Sequence, residues 1–215
     1  MRVLDVGPGS APHAFATVLL DIEFSPEIAA MQRGHTPPPT QDPRLVYYDG
    51  KAFPFEDHAF DYVIASHVLE HVDDVPFFLQ ELQRVAPQGY LEFPTFAYDY
   101  LFDFPVHCNA LLWRNGEILH SRKPGELKSF QPLTAKLREL LGLGYGFEGM
   151  TAELADFFFQ GFEWRRGQLK AVPAANLAEL IPSLDLGPRR WPVPSTVSLL
   201  REVGRRVVKR LAFRA

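Results

Sequence analysis

Apolar residues along the chain first gather into short blocks separated by glycine, proline and acid. Val3 to Val6 reads as a buried strand ending at Gly7, and Val18 to Ile22 as a second. The proline-dense stretch "RGHTPPPTQDPR" reads as a loop, and "RLVYYDG" as a third strand closed by Asp49 and Gly50. In "FDYVIASHVLEHV" the pattern predicts a fourth strand, Tyr62 to Ala65, running into a helix that His67 begins. The helix is expected to continue through "DDVPFFLQELQRVA", where Phe77, Phe78, Leu82 and Val85 recur at helical spacing. Asp73 or Asp74 would cap a restart at Pro76, Gly89 would stop the helix, and "YLEFP" would form a fifth strand. Strands joined by crossovers indicate an α/β fold, a Rossmann-like parallel sheet with helices on both faces.

From Thr95 the pattern loosens. "FAYDYLFDFPVHCNALLW" is aromatic without a clean period, "RNGE" suits a hairpin turn, and "TAKLRELLG" reads as a helix ending at Gly142. "ADFFFQGFEWRRGQLKAVPA" reads as two strands about a turn at Arg166 and Gly167, an antiparallel C-terminal hairpin edge. The expected organisation is a main domain over 1–181, with an aromatic lid or substrate segment at about 95–125. A Pro-rich connector, 182–194, and a basic amphipathic helix, 195–215, would follow.

Composition narrows the class. At 215 residues, 47% apolar and 22% charged, the chain suits one globular domain with a small appendage. Its single cysteine, Cys108, excludes an internal disulfide and a Cys-based zinc site. Strand one begins at Val3, which leaves no room for a signal peptide, and no apolar run approaches membrane-spanning length. A cytoplasmic protein is expected. The net charge of −4 divides unevenly: residues 189–215 carry +7 and the rest −11. An acidic body repels nucleic acid, whereas the basic tail fits peripheral membrane contact, docking on the body or contact with a second copy.

The first loop carries the chemistry. Asp5, Gly7 and Gly9 lie at the end of strand one, where an open parallel sheet binds its ligand. A dinucleotide would also need a third glycine and a helix N-terminus for its pyrophosphate. This chain offers Ala11 and Pro12 instead, with little room before strand two, which argues against a nicotinamide oxidoreductase. A ligand without phosphates loses little by that change. S-adenosyl-L-methionine (SAM) is such a ligand, with Asp21 placed for its ribose and Asp49 for its adenine amine. The competing readings are plain turns at Gly7, Gly9 and Asp49–Gly50, and a solvated or helix-capping Asp21.

"VLDVGPGS", "DGKAFPFEDHAFDYVIASHVLEHV" and "FLQELQRVAPQGYLEFPT" together resemble the successive motifs of class I SAM-dependent methyltransferases of the type-11 group, over residues 2–95. The later "HCNALLWRNGEILHSRKP" and "GFEWRRGQLKAV" resemble, more loosely, a subgroup linked to glycan or cell-envelope biosynthesis. The resemblance implies that Asp5, Gly7 and Gly9 meet the methionine end, Asp21 the ribose, and Asp49 with Gly50 the adenine. Ser66 and His67 would line the sulfonium side. Against the family pattern, the chain starts at strand one and shortens the first helix, so weak cofactor binding is a real alternative.

Methyl transfer from a sulfonium needs alignment and loss of the acceptor's proton. His67 and His107 are the candidate bases, each weighed against a structural role. Tyr98, Tyr100, Phe102, Phe104 and Trp113 would line an acceptor pocket or cover the sheet. His67 and His71 stand at i and i+4, but Glu70 does not complete the His-Glu-x-x-His order, so no metal is expected. The expected function is methyl transfer to a small-molecule acceptor, an oxygen of a sugar or envelope precursor. The alternative is a catalytically inactive SAM-fold interaction subunit.

Overall fold

The computed structural model describes residues 1–9, 11–23, 42–124 and 155–182. All of these lie in one unit, Met1–Ser183. The helix expected over 134–142, the connector beyond Pro182 and the basic helix over 195–215 fall outside the described residues.

Five strands run parallel: β1 (Val3–Val6), β2 (Val18–Ile22), β3 (Leu45–Tyr48), β4 (Tyr62–Ser66) and β5 (Gln88–Pro94). Their order is β3-β2-β1-β4-β5, and β8 (Phe159–Arg165) adds an antiparallel edge beside β5. The order reverses between β1 and β4, so the ligand crevice of such a sheet falls at their carboxyl ends. Central strands covered on both faces need unbroken apolar runs, and Val3, Leu4 and Val6 are all buried. The link from β1 to β2 is short: residues 11–17 form bends and turns, and no helix is described before β2.

Helix α1 (Val75–Val85) joins β4 to β5. Asp74 caps it by accepting from Phe77 N at 2.9 Å, and Pro76 occupies the first turn, where its missing N–H costs nothing. Phe78, Leu79, Leu82 and Val85 pack into the core beneath β4 and β5. Each such burial contributes about 1.5–3 kcal/mol. Phe77 departs from the expected stripe and is 39% exposed.

Two further expectations fail here for identifiable reasons. The helix does not begin at His67; residues 67–74 make turns, and His67 has φ +56°. The carbonyls a helix would use are taken by the next sheet: Glu70 O accepts from Cys108 N (2.7 Å) and Asn109 N (3.0 Å). Asn109 Nδ2 donates to Leu69 O (3.1 Å) and Val72 O (2.7 Å). Nor does Gly89 stop the helix, which ends at the extended Ala86. Gly89 lies inside β5, where a Cβ would sit 2.1 Å from Val63 O, so close strand approach explains the glycine.

A second sheet has the order β6-β7-β9. β6 (Asn109–Arg114) and β7 (Glu117–Arg122) form the expected hairpin over Asn115 and Gly116, both at positive φ. β9 (Ala171–Pro173) pairs parallel with β7. The strands flanking Arg166–Gly167 therefore part company: β8 supplies the antiparallel edge alone, and β9 leaves for the other sheet. Helices α2 (Phe96–Phe102) and α3 (Ala155–Phe158) and a 3-10 turn (Leu177–Leu180) complete the described structure. Among the described residues, no helix is long and apolar enough to cross a membrane.

Candidate functional site

At the carboxyl end of β1 the chain turns through Gly7 (φ +63°) and Gly9 (φ +54°). A Cβ on Gly7 would meet Val68 Cγ2 at 2.5 Å, whereas one on Gly9 would meet nothing within 4 Å. Gly7 thus lets the loop pack against the segment after β4, and Gly9 faces open space. Asp5 is buried and accepts from His13 N at 2.7 Å. Burial pushes its carboxyl above the ordinary range, with the His13 N–H working against that. Asp5 therefore organises the loop.

Asp21 is buried near the end of β2 and accepts from Ile22 N at 2.8 Å. Its charge is felt at Asp5 and at Tyr48, where burial, reinforced by Asp21 and Asp49, pushes the phenol up to about 12. Asp21 thus lies within electrostatic range of Asp5, and Asp21 and Asp49 both lie within range of Tyr48. Asp49 is exposed, accepts from Lys51 N at 3.0 Å, and precedes Gly50 at φ +81°. Glu23, two residues beyond Asp21, is exposed, and reading only strand residues overlooked it. A basic neighbour is also present: Arg44 acts on Asp5 but is gripped by Asp42 at 2.9 and 2.6 Å.

Beyond β4, Ser66 Oγ donates to Glu92 Oε1 at 3.0 Å, and His67 Nε2 lies 3.1 Å from the same oxygen. His67 Nδ1 lies 3.5 Å from Glu70 Oε1. Burial disfavours the imidazolium, but hydrogen bonds to Glu70 and Glu92 outweigh it and raise His67 to about 9. Hydrogen bonding from His67, with help from Tyr90 and Ser66, in turn holds the Glu92 carboxyl down at about 2 despite burial. A histidine charged at neutral pH cannot accept a proton, so His67 is suited to anchoring and poorly suited to the base role expected of it.

His107 lies after α2 with its side chain 10% exposed, and its Nδ1 is 2.6 Å from the fully buried Asp99 Oδ1. Lys123 pairs with Asp103 at 3.2 Å and lies 3.9 Å from Asp99. His71 stands edge-on to His107 with ring centroids 4.8 Å apart; its Nδ1 meets Val106 O at 3.0 Å. Burial pushes His71 down, and Glu70 opposes this. Glu70 is held low despite burial by His67, His71 and His107. Glu70, His71 and His107 together could hold a cation, so the metal-capable partner of His71 is His107 and not His67. A cavity of about 400 Å³ lies alongside, lined by Asp103, His107, Cys108 and Lys123 among others.

Of the five aromatics expected to line an acceptor pocket, Tyr98, Phe102 and Phe104 do meet, and Phe104 stacks on His107 at 5.1 Å. Phe102 is fully buried, and Tyr100 and Trp113 pack elsewhere, on Phe96 and Phe162. Sequence reading missed Glu92, Asp99 and Lys123. An acid inside the apolar run "YLEFP" was the available signal for Glu92.

An α/β sheet with its order reversing between β1 and β4 has the architecture of open α/β folds that bind ligands at the strands' carboxyl ends. Residues 4–93 match the family model described as "Methyltransferase domain". Over these residues the chain is similar to methyltransferase domains. The malonyl-[acyl-carrier protein] O-methyltransferase of Halorhodospira halophila is 34% identical over 104 residues, covering 44% of this chain and 35% of that protein. The chain thus spans about a third of that relative's length. An S-adenosylmethionine-dependent methyltransferase from Mesorhizobium loti is 16% identical, with a TM-score of 0.39, over 77% of this chain and 90% of its own. The YcgJ protein of Bacillus subtilis is 20% identical, with a TM-score of 0.35, over 49% of this chain and 54% of its own.

Proposed function

We propose that this chain transfers the methyl group of SAM to an oxygen of a small acceptor, a sugar or a cell-envelope precursor. The observation that carries the reading is the set of carboxylates at three successive strand ends beside a glycine loop. Such a set repels phosphate and suits a cationic nucleoside with a ribose diol and an adenine amine. Gly7 and Gly9 admit the methionine end, Asp21 or Glu23 takes the ribose, and Asp49 with Gly50 takes the adenine. Ser66 and His67, pinned by Glu92, border the sulfonium. On the acceptor side Asp99 fixes the His107 ring through Nδ1, which leaves Nε2 as a lone pair for the acceptor's proton. That the relative from Halorhodospira halophila is named an O-methyltransferase agrees with an oxygen acceptor.

The noncatalytic reading draws on one feature, the turns over residues 11–17 where a helix would add backbone donors. Calorimetry with SAM and its demethylated product tests the site: Asp49→Ala should weaken both, and unchanged affinity would remove the assignment. Incubating labelled SAM with sugar and envelope-precursor pools tests catalysis. Label appearing in no pool favours the interaction subunit.

A further inference from the structure

We propose that Glu70, His71 and His107 form a site for one divalent first-row transition cation of the Zn2+ or Mn2+ kind. Candidate ligand atoms of the three residues lie within 4.8 Å of one another. Tetrahedral bonds of about 2.0–2.1 Å would bring them to about 3.4 Å apart, a closure of about 1 Å per side chain.

Both imidazoles are set up as metal ligands. His71 Nδ1 sits on Val106 O (3.0 Å) and His107 Nδ1 on Asp99 Oδ1 (2.6 Å), so each Nδ1 carries the proton and each Nε2 is left a lone pair. A carbonyl or carboxylate behind the ring is what metal-bound histidines ordinarily have. His71 Nε2 then confronts Glu70 Oε1 at 3.7 Å with no proton of its own to share. Two electron-rich atoms facing each other repel unless something positive lies between them.

Glu70 supplies the independent observation. Its side chain is 1% exposed, and its Oε2 is buried with no hydrogen-bond partner among the described residues. Leaving a buried carboxylate oxygen unpaired is costly. Among the described residues no lysine or arginine pairs with it: Lys123 is engaged by Asp103 and Asp99, and Glu70's ion-pairing neighbours are His67 and His71. His67 is itself held at 3.1 Å by Glu92. Two imidazole nitrogens and one carboxylate favour a borderline cation over Mg2+ or Ca2+, which prefer all-oxygen sets.

Three protein ligands leave coordination positions open, and the cavity beside His107 gives a route to them. The inference deepens the methyl-transfer reading: a hydroxyl bound at an open position loses its proton more readily. The lone pair assigned above to the acceptor's proton would then hold the cation, and the cation would do the acidifying.

The test is equilibrium dialysis of chelator-treated full-length protein against Zn2+, with bound metal measured by plasma mass spectrometry and SAM affinity measured on the same samples. One equivalent per chain is expected, falling at least tenfold in Glu70→Gln, His71→Ala and His107→Ala while SAM affinity stays within threefold. His58→Ala, at a surface histidine, should keep the full equivalent. Should those variants misfold by circular dichroism, Co2+ added to the unaltered protein gives the readout. Visible bands of nitrogen-ligated cobalt, displaced by one equivalent of Zn2+, support the site. Their absence, or stoichiometric Zn2+ that survives loss of both histidines, overturns it. Loss of SAM binding by the unaltered protein would instead defeat the cofactor reading and leave the metal result standing.

Discussion

The two flanks of the crevice are built in different ways. On the proposed cofactor flank, each group lies within or directly after the strand that positions it: Asp5 and Gly7 with β1, Asp21 with β2, Asp49 with β3. On the proposed acceptor flank, Glu70, His71, Asp99, His107 and Lys123 come from separate turns, one helix and one strand end, and meet only in the folded chain. The first flank is therefore governed by backbone shape and the second by side-chain pairing. Damage to the two should separate in cofactor affinity and in turnover.

The harshest way to break the cofactor flank is Gly7→Val. It combines a positive φ with a Cβ placed 2.5 Å from Val68. Stability should fall by about 3 kcal/mol, and SAM binding should vanish in calorimetry. Asp99→Asn strikes the other flank by loosening the hold on the His107 ring. Initial rates should drop roughly tenfold while SAM affinity moves by less than about threefold. If affinity falls as far as rate, the separation of the flanks is wrong.

Glu81 belongs to neither flank and sharpens the contrast. It accepts from Phe53 N (2.6 Å) and from Arg84 (2.6 and 2.7 Å), tying α1 to the loop before β4. Arg84 holds its carboxyl below the ordinary range. That stability is present above the unfolded-state value of about 4.3 and is lost as pH falls through the lower folded value. Glu81→Gln should cost about 1–3 kcal/mol in urea melts at pH 7 and progressively less below pH 4. Both flanks should weaken together. Asp49→Ala should cost about 1.4 kcal/mol of SAM binding, a tenfold change, with turnover at saturating SAM intact. Phe77→Ser, on the exposed side of α1, should shift stability by less than about 0.5 kcal/mol.

The same division explains what could be read from the sequence. Strand ends announce themselves locally, as an apolar run stopped by an acid and a glycine, and β1 to β5 lay where the pattern put them. The helix expected from His67 did not form because Asn109, some forty residues on, captures the carbonyls of Leu69 and Val72. No local period contains that competition. Likewise the pairing of Asp99 with His107 had a readable spacing but no readable meaning until the turn after α2 brought the two side chains together.

One amide staples the link between the two sheets to α1. Gln83 of α1 accepts from Gly167 N (2.7 Å) and Leu169 N (3.3 Å) and donates to Leu169 O (3.1 Å), on the short link from β8 to β9. A chain stapled at that link cannot hinge there without breaking all three bonds. The link sits beside Gln88 at the start of β5, so the staple holds the base of the sheet and leaves the carboxyl-end crevice to be shaped by the segments that follow β4 and β5.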